Sequence, residues 1–125
     1  MTETRGFRLR FSCAHLYHQP SWDEAQNQRT FGKCFSDHGH GHDYELWIET
    51  PLAGASFEKL REAGAELREH LDHKHLNFTI PEFKTQVPTT ENLALYCREF
   101  LTKKMGEPVF LKLTLFECPW LGATL

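Results

Sequence analysis

The chain has 125 residues, of which 40% are hydrophobic and 25% are charged, and its formal net charge is −3 at pH 7. This length and composition are typical of one globular domain, spanning 1–125, whose core is large enough to fold without disulfide staples. The mild negative charge and the lack of a Lys/Arg stripe exclude an electrostatic partnership with nucleic acid. No apolar run is long enough to cross a bilayer, so no membrane partner is expected.

The N-terminus, MTETRGFRLRFSC, lacks the apolar middle of a signal peptide, which predicts a cytoplasmic location. The cysteines Cys13, Cys34, Cys97 and Cys118 form no CxxC pair. In a reducing compartment such cysteines are expected to be free thiols.

Two stretches alternate between apolar and polar residues and predict strands. In residues 6–14, Phe7 and its apolar partners alternate with polar residues, and His15 continues the apolar parity at the strand's end. Residues 16–30 predict a loop with a short helix at Ser21–Gln28. Residues 40–50 predict a second strand in which His40 and His42 share a face with Tyr44, Leu46 and Ile48, because strand side chains repeat every two residues.

The remainder predicts two helices and a last strand. After a turn at 51–54, residues 56–71 form an amphipathic helix with Ser56 as its cap. A second helix starts within 88–92 and ends before Gly106. Residues 109–117 form the last strand, so the fold class is α+β, with a mainly antiparallel sheet and two helices packed on one face.

Glu117 has the parity of the apolar residues Leu113 and Leu115 in this last strand. A carboxylate on an apolar face is costly unless it meets a cation or N–H donors. Either Glu117 points inward to such a partner, or the strand ends at Phe116 and Glu117 is solvated.

The stretch FGKCFSDHGHGHDY, residues 31–44, predicts a metal site. His-x-His on a strand puts two imidazoles on one side, and His15 is a natural third ligand. Nitrogen-only ligation suits zinc, while other transition metals remain open. Both His38/His40 and His40/His42 fit, and spacing alone does not choose between them. His38-Gly-His40 with Glu45 also fits a cupin motif, but the two helices and the lack of any histidine after His75 argue against that fold.

Two further features carry possible chemistry. Cys34 precedes the histidines; near a dication its thiol would be a usable base or nucleophile, and it could equally be a fourth ligand or a buried hydrophobe. Asp72-His73 breaks the first long helix. The aspartate could orient the histidine as an acid/base pair, or the histidine could simply sit on the helix dipole.

The chain resembles the 6-pyruvoyltetrahydropterin synthase family, which includes the bacterial 6-carboxytetrahydropterin synthases. The motifs described above occur in the order found in that family. The matching stretches cover nearly the whole chain: RFSCAH at 10–15, NQRTFGKC at 27–34, HGHDYEL at 40–46, LDHKHLN at 71–77, PTTENLA at 88–94 and LFE at 115–117. One motif is specific: a cysteine, then five residues, then HGH with a short polar residue and an aromatic residue directly after it. Cys34 and HGHDY at 40–44 match this motif.

The resemblance implies the roles of single residues. It selects His15, His40 and His42 as zinc ligands, although Cys34 to His38 also matches the shorter spacing of some family members. It implies Cys34 as the proton-abstracting base, with Asp72 and His73 as its acid/base partners. It also implies a pterin-binding set, in which Glu117 is the anchor and the other contacts are Thr89, Thr90 and Glu91.

The resemblance implies the T-fold, with subunits assembled by edge strands into a homo-oligomer, usually a hexamer, and with active sites between subunits. The implied substrate is 7,8-dihydroneopterin triphosphate, whose triphosphate could meet Arg29, Lys33 or Lys74. The favoured product is 6-carboxy-5,6,7,8-tetrahydropterin, on the queuosine and deazapurine route. The alternatives are 6-pyruvoyltetrahydropterin, formed by triphosphate elimination, and a pterin-binding relative without turnover.

Two segments depart from the family pattern. TPLAGASFEKL goes nearly straight into the helix, so the hairpin after the HGH strand is expected to be shortened. PWLGATL stands where members carry a final strand segment, so that segment is expected to be lost.

Overall fold

A computed structural model describes residues 3–32 and 40–125, with His40 described by its backbone alone. The predictions for Cys34, His38 and the His40 side chain therefore lie outside the described residues. Within them, the elements in chain order are β1 (Arg5–His15), α1 (Glu24–Phe31), β2 (His40–Thr50), α2 (Gly54–Leu71), β3 (Lys74–His75), α3 (Leu76–Thr79), a short 3₁₀ helix (Pro81–Lys84), α4 (Thr90–Met105), β4 (Lys112–Cys118) and β5 (Leu121–Thr124).

The described strands form one sheet in the order β3-β1-β2-β4-β5. All neighbours are antiparallel except β1 and β3. Helix α2 packs on β1, α4 packs on β4 and β5, and the two helices pack on each other. The predicted α+β class, with a mainly antiparallel sheet and both long helices on one face, is confirmed. No helix in the described part of the chain is long and apolar enough to cross a membrane.

The core lies between this sheet face and the two helices. The inward side chains of β1 and β2 follow the predicted alternation, with Phe11, Tyr44, Leu46 and Ile48 buried. On α2, Leu60 and its neighbours along one stripe are buried, as the helical spacing predicted. The last residues of β1 and the first residues of β2 lie at the same end of the sheet, beside the first turn of α4.

Several element boundaries differ from the sequence prediction. Helix α2 begins at Gly54, and Ala53 rather than Ser56 occupies the N-cap position, without a side-chain cap bond. Gly54 has a φ of 60°, which glycine adopts at little cost, so the turn passes directly into the helix. Helix α1 starts later than predicted because Asp23 caps it, accepting a hydrogen bond from the Gln26 N–H at 2.7 Å.

The end of the chain corrects a second expectation. The final strand segment is present: β5 pairs with β4 in an antiparallel hairpin whose turn is Pro119-Trp120. Gly122 makes this close pairing possible, since a Cβ there would lie 2.8 Å from the Phe116 ring and 3.0 Å from the Leu115 carbonyl oxygen. By contrast, the shortened hairpin after β2 is confirmed, because only three residues separate β2 from α2.

Asn27 ties the loop between β1 and α1 to the helix. Its side chain is buried; Oδ1 accepts from the Gln19 N–H at 2.6 Å, and Nδ2 donates to the carbonyl oxygens of Gln19, Trp22 and Asp23. This loop leads from His15 to α1, so the hydrogen bonds hold the chain that follows His15 against the start of the helix.

We expect Asn27→Ala to lower the free energy of unfolding by about 1–3 kcal/mol, because loop backbone groups would lose their partners inside the fold. Urea unfolding of the variant measures the effect. The exposed neighbour offers a matched control, since Gln28→Ala is expected to stay within about 0.5 kcal/mol of the parent. Equal unfolding midpoints for both variants would contradict this role of Asn27.

Candidate active site

Three side chains from three strands meet at one end of the sheet. His42 Nε2 lies 2.8 Å from Glu117 Oε1, and His15 Nε2 lies 3.4 Å from the same oxygen. The two imidazole rings are 4.9 Å apart between centroids. His15 is fully buried and Glu117 is 7% exposed. The inward orientation of His15, predicted from strand parity, is confirmed, and of the two interpretations left open for Glu117 the structure supports the inward one.

The strand register explains this meeting. In the β1–β2 pairing His42 stands opposite Cys13 and the backbone of His40 stands opposite His15. Residues two apart on a strand share a face, so His15 and His42 project to the helix side. Glu117 reaches the same place from β4, where the pairing with β5 shifts register between Phe116 and Cys118. Such irregularities are common beside active sites, where they re-aim a side chain.

Helix α4 supplies a partner for the second oxygen of this carboxylate. Thr90, the first residue of α4, is buried, and its Oγ1 donates to Glu117 Oε2 at 3.1 Å. Thr89 is the helix cap, with its side chain accepting from the Asn92 N–H at 3.1 Å. Glu91 is exposed in the first turn. Of the predicted pterin contacts, Thr90 alone touches Glu117 directly in the contacts described.

Thr90→Val is expected to lower the free energy of unfolding by about 1–3 kcal/mol, because it keeps the shape but leaves Glu117 Oε2 without its hydroxyl donor. Thr90→Ser should retain most of the stability. Thermal or urea unfolding measures both, and Thr85→Val, at an exposed position, controls for the substitution itself. A valine variant as stable as the parent would contradict the importance of this contact.

The donor set fits a metal ion. The ligand atoms of His15, His42 and Glu117 all lie within 4.8 Å of one another. Two imidazole nitrogens and one carboxylate oxygen form a set that zinc accepts in catalytic sites, with a position left for water or substrate. The sequence predicted His15 and His42 as ligands and Glu117 as a pterin anchor. The structure brings all three together, so Glu117 also stands where a ligand would.

Tyr44 is a site residue to which the sequence assigned no role beyond a shared strand face with His40 and His42. Its hydroxyl oxygen lies 2.8 Å from His15 Nδ1, in a buried hydrogen bond. Burial raises the pKa of Tyr44 well above that of a free phenol, so the phenol is neutral. The signal that could have found it is parity, since Tyr44 follows His42 by two residues on the same strand face.

The Asp72-His73 pair lies at the corner where α2 ends. Asp72 Oδ2 lies 3.0 Å from His73 Nδ1 and 3.3 Å from a guanidinium nitrogen of Arg68. Its other oxygen accepts from the Ser12 N–H at 2.8 Å, while the His73 N–H donates to the Ser12 carbonyl at 2.6 Å. The predicted helix break is confirmed, and Ser12, which sequence reasoning missed, fixes the pair to β1 through its backbone.

His73 has a φ of 60°, in the left-handed region that non-glycine residues rarely adopt. The surrounding hydrogen bonds hold this conformation, and such strain is common at functional sites. The His73 side chain is 84% exposed, so its imidazole is accessible to a substrate or a neighbouring chain. An open cleft of about 450 Å³ is lined by His73 and by His42, among others. His73 of the acid/base pair and His42 of the metal candidates therefore border a common space.

The Ser12 N–H, with His73 and Arg68, holds the pKa of Asp72 below its usual value. A carboxylate whose folded-state pKa is lowered stabilises the fold above its unfolded pKa, about 4, and loses that contribution as the pH falls further. We therefore expect the stability difference between the parent and Asp72→Asn to shrink below about pH 4. Urea midpoints measured from pH 3 to pH 7 test this, and a pH-independent difference would contradict it.

Known proteins similar to this chain identify its family. The family model described as 6-pyruvoyl tetrahydropterin synthase matches residues 6–125. The 6-pyruvoyl tetrahydrobiopterin synthase of Homo sapiens is 32% identical over 120 residues, which cover 88% of this chain and 81% of that protein. The dihydroneopterin monophosphate aldolase of Pyrococcus furiosus is 30% identical over 115 residues, which cover 89% of this chain and 86% of that protein.

Solved structures agree. The 6-pyruvoyl tetrahydropterin synthase of Caenorhabditis elegans superposes with a TM-score of 0.90 at 32% identity, covering 98% of this chain and 94% of that chain. The Plasmodium falciparum 6-pyruvoyl tetrahydropterin synthase superposes with a TM-score of 0.62 at 14% identity, covering 98% and 96%, and shows the shared fold alone. The chain therefore belongs to the 6-pyruvoyl tetrahydropterin synthase family. It has the T-fold and is a lyase, as the resemblance implied.

Proposed function

We propose that the protein is a zinc-dependent lyase that eliminates triphosphate from 7,8-dihydroneopterin triphosphate to give 6-pyruvoyltetrahydropterin. The observation that carries the proposal is the set of His15, His42 and Glu117 at ligand spacing, with His15 and Glu117 buried, in a chain of this family. From the sequence alone, the carboxy product was favoured instead. The names of the curated relatives support the elimination, which was its alternative.

In this proposal each residue has a distinct task. His15 and His42, with His40, hold zinc, which would supply Lewis acidity toward the hydroxyl groups of the substrate's side chain. Cys34 takes a proton from that side chain. His73, oriented through its Nδ1 by Asp72, receives and returns protons while the bond to triphosphate breaks. The outward exposure of His73 and the carboxylate on its Nδ1 support this role.

Pterin binding is assigned to Glu117, with Thr89, Thr90 and Glu91 around it. A pterin presents adjacent N–H groups that a carboxylate can accept. Since Glu117 Oε1 lies against the histidines, its roles as metal ligand and as pterin anchor must be separated experimentally. Loss of zinc affinity in Glu117→Gln would indicate a ligand, whereas a raised KM with unchanged zinc affinity would indicate an anchor.

We also propose that the protein is a homo-oligomer, a hexamer as in the family. Trp120, in the turn of the β4–β5 hairpin, is 84% exposed, and Phe110, two residues before β4, is 71% exposed. Large apolar side chains at a sheet edge favour burial against another chain. Light scattering during size-exclusion chromatography measures the mass; a monomer at micromolar concentration would contradict the proposal. The cytoplasmic location remains a prediction.

A mass spectrum of the products, from protein incubated anaerobically with 7,8-dihydroneopterin triphosphate, tests the proposed reaction. Release of triphosphate with 6-pyruvoyltetrahydropterin, lost on adding a chelator, supports it. A 6-carboxytetrahydropterin with acetaldehyde would establish the carboxy reaction instead. Cleavage of the side chain to an aldehyde and a hydroxymethylpterin would align the chain with its aldolase relative. Unchanged substrate would leave a pterin-binding protein without turnover.

A further inference from the structure

The hydrogen bond between Tyr44 and His15 is enclosed by the core. Tyr44 is 1% exposed and His15 is fully buried, and the tyrosine hydroxyl oxygen lies 2.8 Å from His15 Nδ1. The Tyr44 ring stacks on Phe11, with 5.4 Å between centroids and an interplanar angle of 11°. Phe11 and Tyr44 are also cross-strand partners in the β1–β2 register. The position of the hydroxyl is therefore fixed by packing.

The two ring nitrogens of His15 face different groups. Nδ1 faces Tyr44, and Nε2 faces Glu117 Oε1 at 3.4 Å, on the side where His42 also approaches. A neutral imidazole carries its proton on one nitrogen and a lone pair on the other. If Nε2 is to bind a cation, the proton must lie on Nδ1, and that N–H needs an acceptor inside the core.

We propose that Tyr44 is a positioning residue of the metal centre: its phenol oxygen accepts the Nδ1–H of His15 and thereby keeps the Nε2 lone pair directed at the cation. This inference rests on the proposed metal-binding function of His15. Tyr44 is buried in the core, and its hydroxyl group contacts a residue of the candidate site.

The strand that carries Tyr44 also carries one of the candidate ligands. Strand β2 supplies His42 and, two residues further on the same face, the hydroxyl that orients His15 of β1. Partners of this kind on the second nitrogen fix the tautomer and ring orientation of ligand histidines, and their loss typically weakens metal binding about 10- to 100-fold. Without a cation the same bond can run the other way, with the phenol donating to Nδ1. Zinc binding therefore selects one of two proton positions.

Zinc affinity of Tyr44→Phe, measured by competition with a chromogenic chelator, tests the inference. The phenylalanine keeps the ring that stacks on Phe11, so we expect a folded protein whose zinc dissociation constant is about 10- to 100-fold higher than that of the parent. Tyr96→Phe is the matched control. It removes a tyrosine hydroxyl from the aromatic cluster around Phe83 and His70, between the long helices, and its dissociation constant should equal the parent's.

Equal zinc affinity in Tyr44→Phe and the parent would overturn the inference while leaving the metal centre intact. A parent protein that binds no zinc would overturn the metal centre and this inference with it. Nitrogen NMR of the zinc-loaded parent gives an independent answer that does not depend on the variant folding. A proton on His15 Nδ1 and zinc on Nε2 support the inference, and zinc on Nδ1 would overturn it.

Discussion

Replacing His42 by alanine is expected to abolish stable zinc binding and to reduce turnover to background. His42 Nε2 lies 2.8 Å from Glu117 Oε1 and is one of the three groups within ligand spacing. Loss of an outer partner already weakens metal binding about 10- to 100-fold, so removing a ligand should cost more than about 100-fold in affinity. Metal analysis of the purified variant and its rate of triphosphate release measure the two effects.

The control for this variant is another histidine outside the site. His70 lies on α2, exposed, and its ring stacks on Tyr96 and Phe100. His70→Ala should retain zinc and turnover. A His42→Ala protein that binds one zinc with parental affinity would show that the cation lies elsewhere, for instance on residues outside the described ranges.

Asp72→Asn is expected to lower kcat by about 10²- to 10⁴-fold, which is the rate enhancement that general acid/base catalysis typically contributes. Zinc binding is expected to stay unchanged. The asparagine can still accept from the Ser12 N–H, but it removes the negative charge beside His73 Nδ1 and Arg68. The imidazole then loses the group that orients it and stabilises its protonated form. Single-turnover rates and a zinc titration of the same preparation separate chemistry from metal binding.

Glu69→Gln is the matched acid-to-amide control, because Glu69 is an exposed residue of the same helix. It should leave kcat unchanged. Parental kcat in Asp72→Asn would contradict the assignment of the Asp72-His73 pair. Loss of zinc in that variant would instead mean that the Asp72-His73 pair supports the metal centre and does not take part in proton transfer.

Among the sequence patterns, the alternation of side chains along the strands predicted most about the candidate site. It placed His15 and His42 on the core side, as the structure confirms, and it gave the inward orientation of Glu117 as one of two interpretations, the one that the structure supports. It worked because an antiparallel strand with one buried face has a strict period of two. The sequence also predicted the end of α4 correctly, since Gly106 adopts the left-handed conformation that stops a helix.

The misses concern features that depend on contacts between distant residues. The start of α2 was placed at Ser56 because serine caps helices, but the positive φ of Gly54 allows the turn to enter the helix directly. The hairpin strand β5 was missed because its pairing depends on how closely Gly122 approaches Phe116. Parity places Tyr44 on the strand face of His42, but its contact with His15 depends on the register between β1 and β2, which the sequence does not give.

The most direct test of a zinc-dependent centre at His15 and His42 is metal reconstitution of the reaction. Protein stripped with a chelator is supplied with zinc in steps, and triphosphate release from 7,8-dihydroneopterin triphosphate is followed at each step. We expect no release without zinc, a rise that saturates at one zinc per chain, and no recovery in His42→Ala. Full activity in the stripped protein, or an equal recovery in His42→Ala, would contradict a metal-dependent lyase centred on His15 and His42.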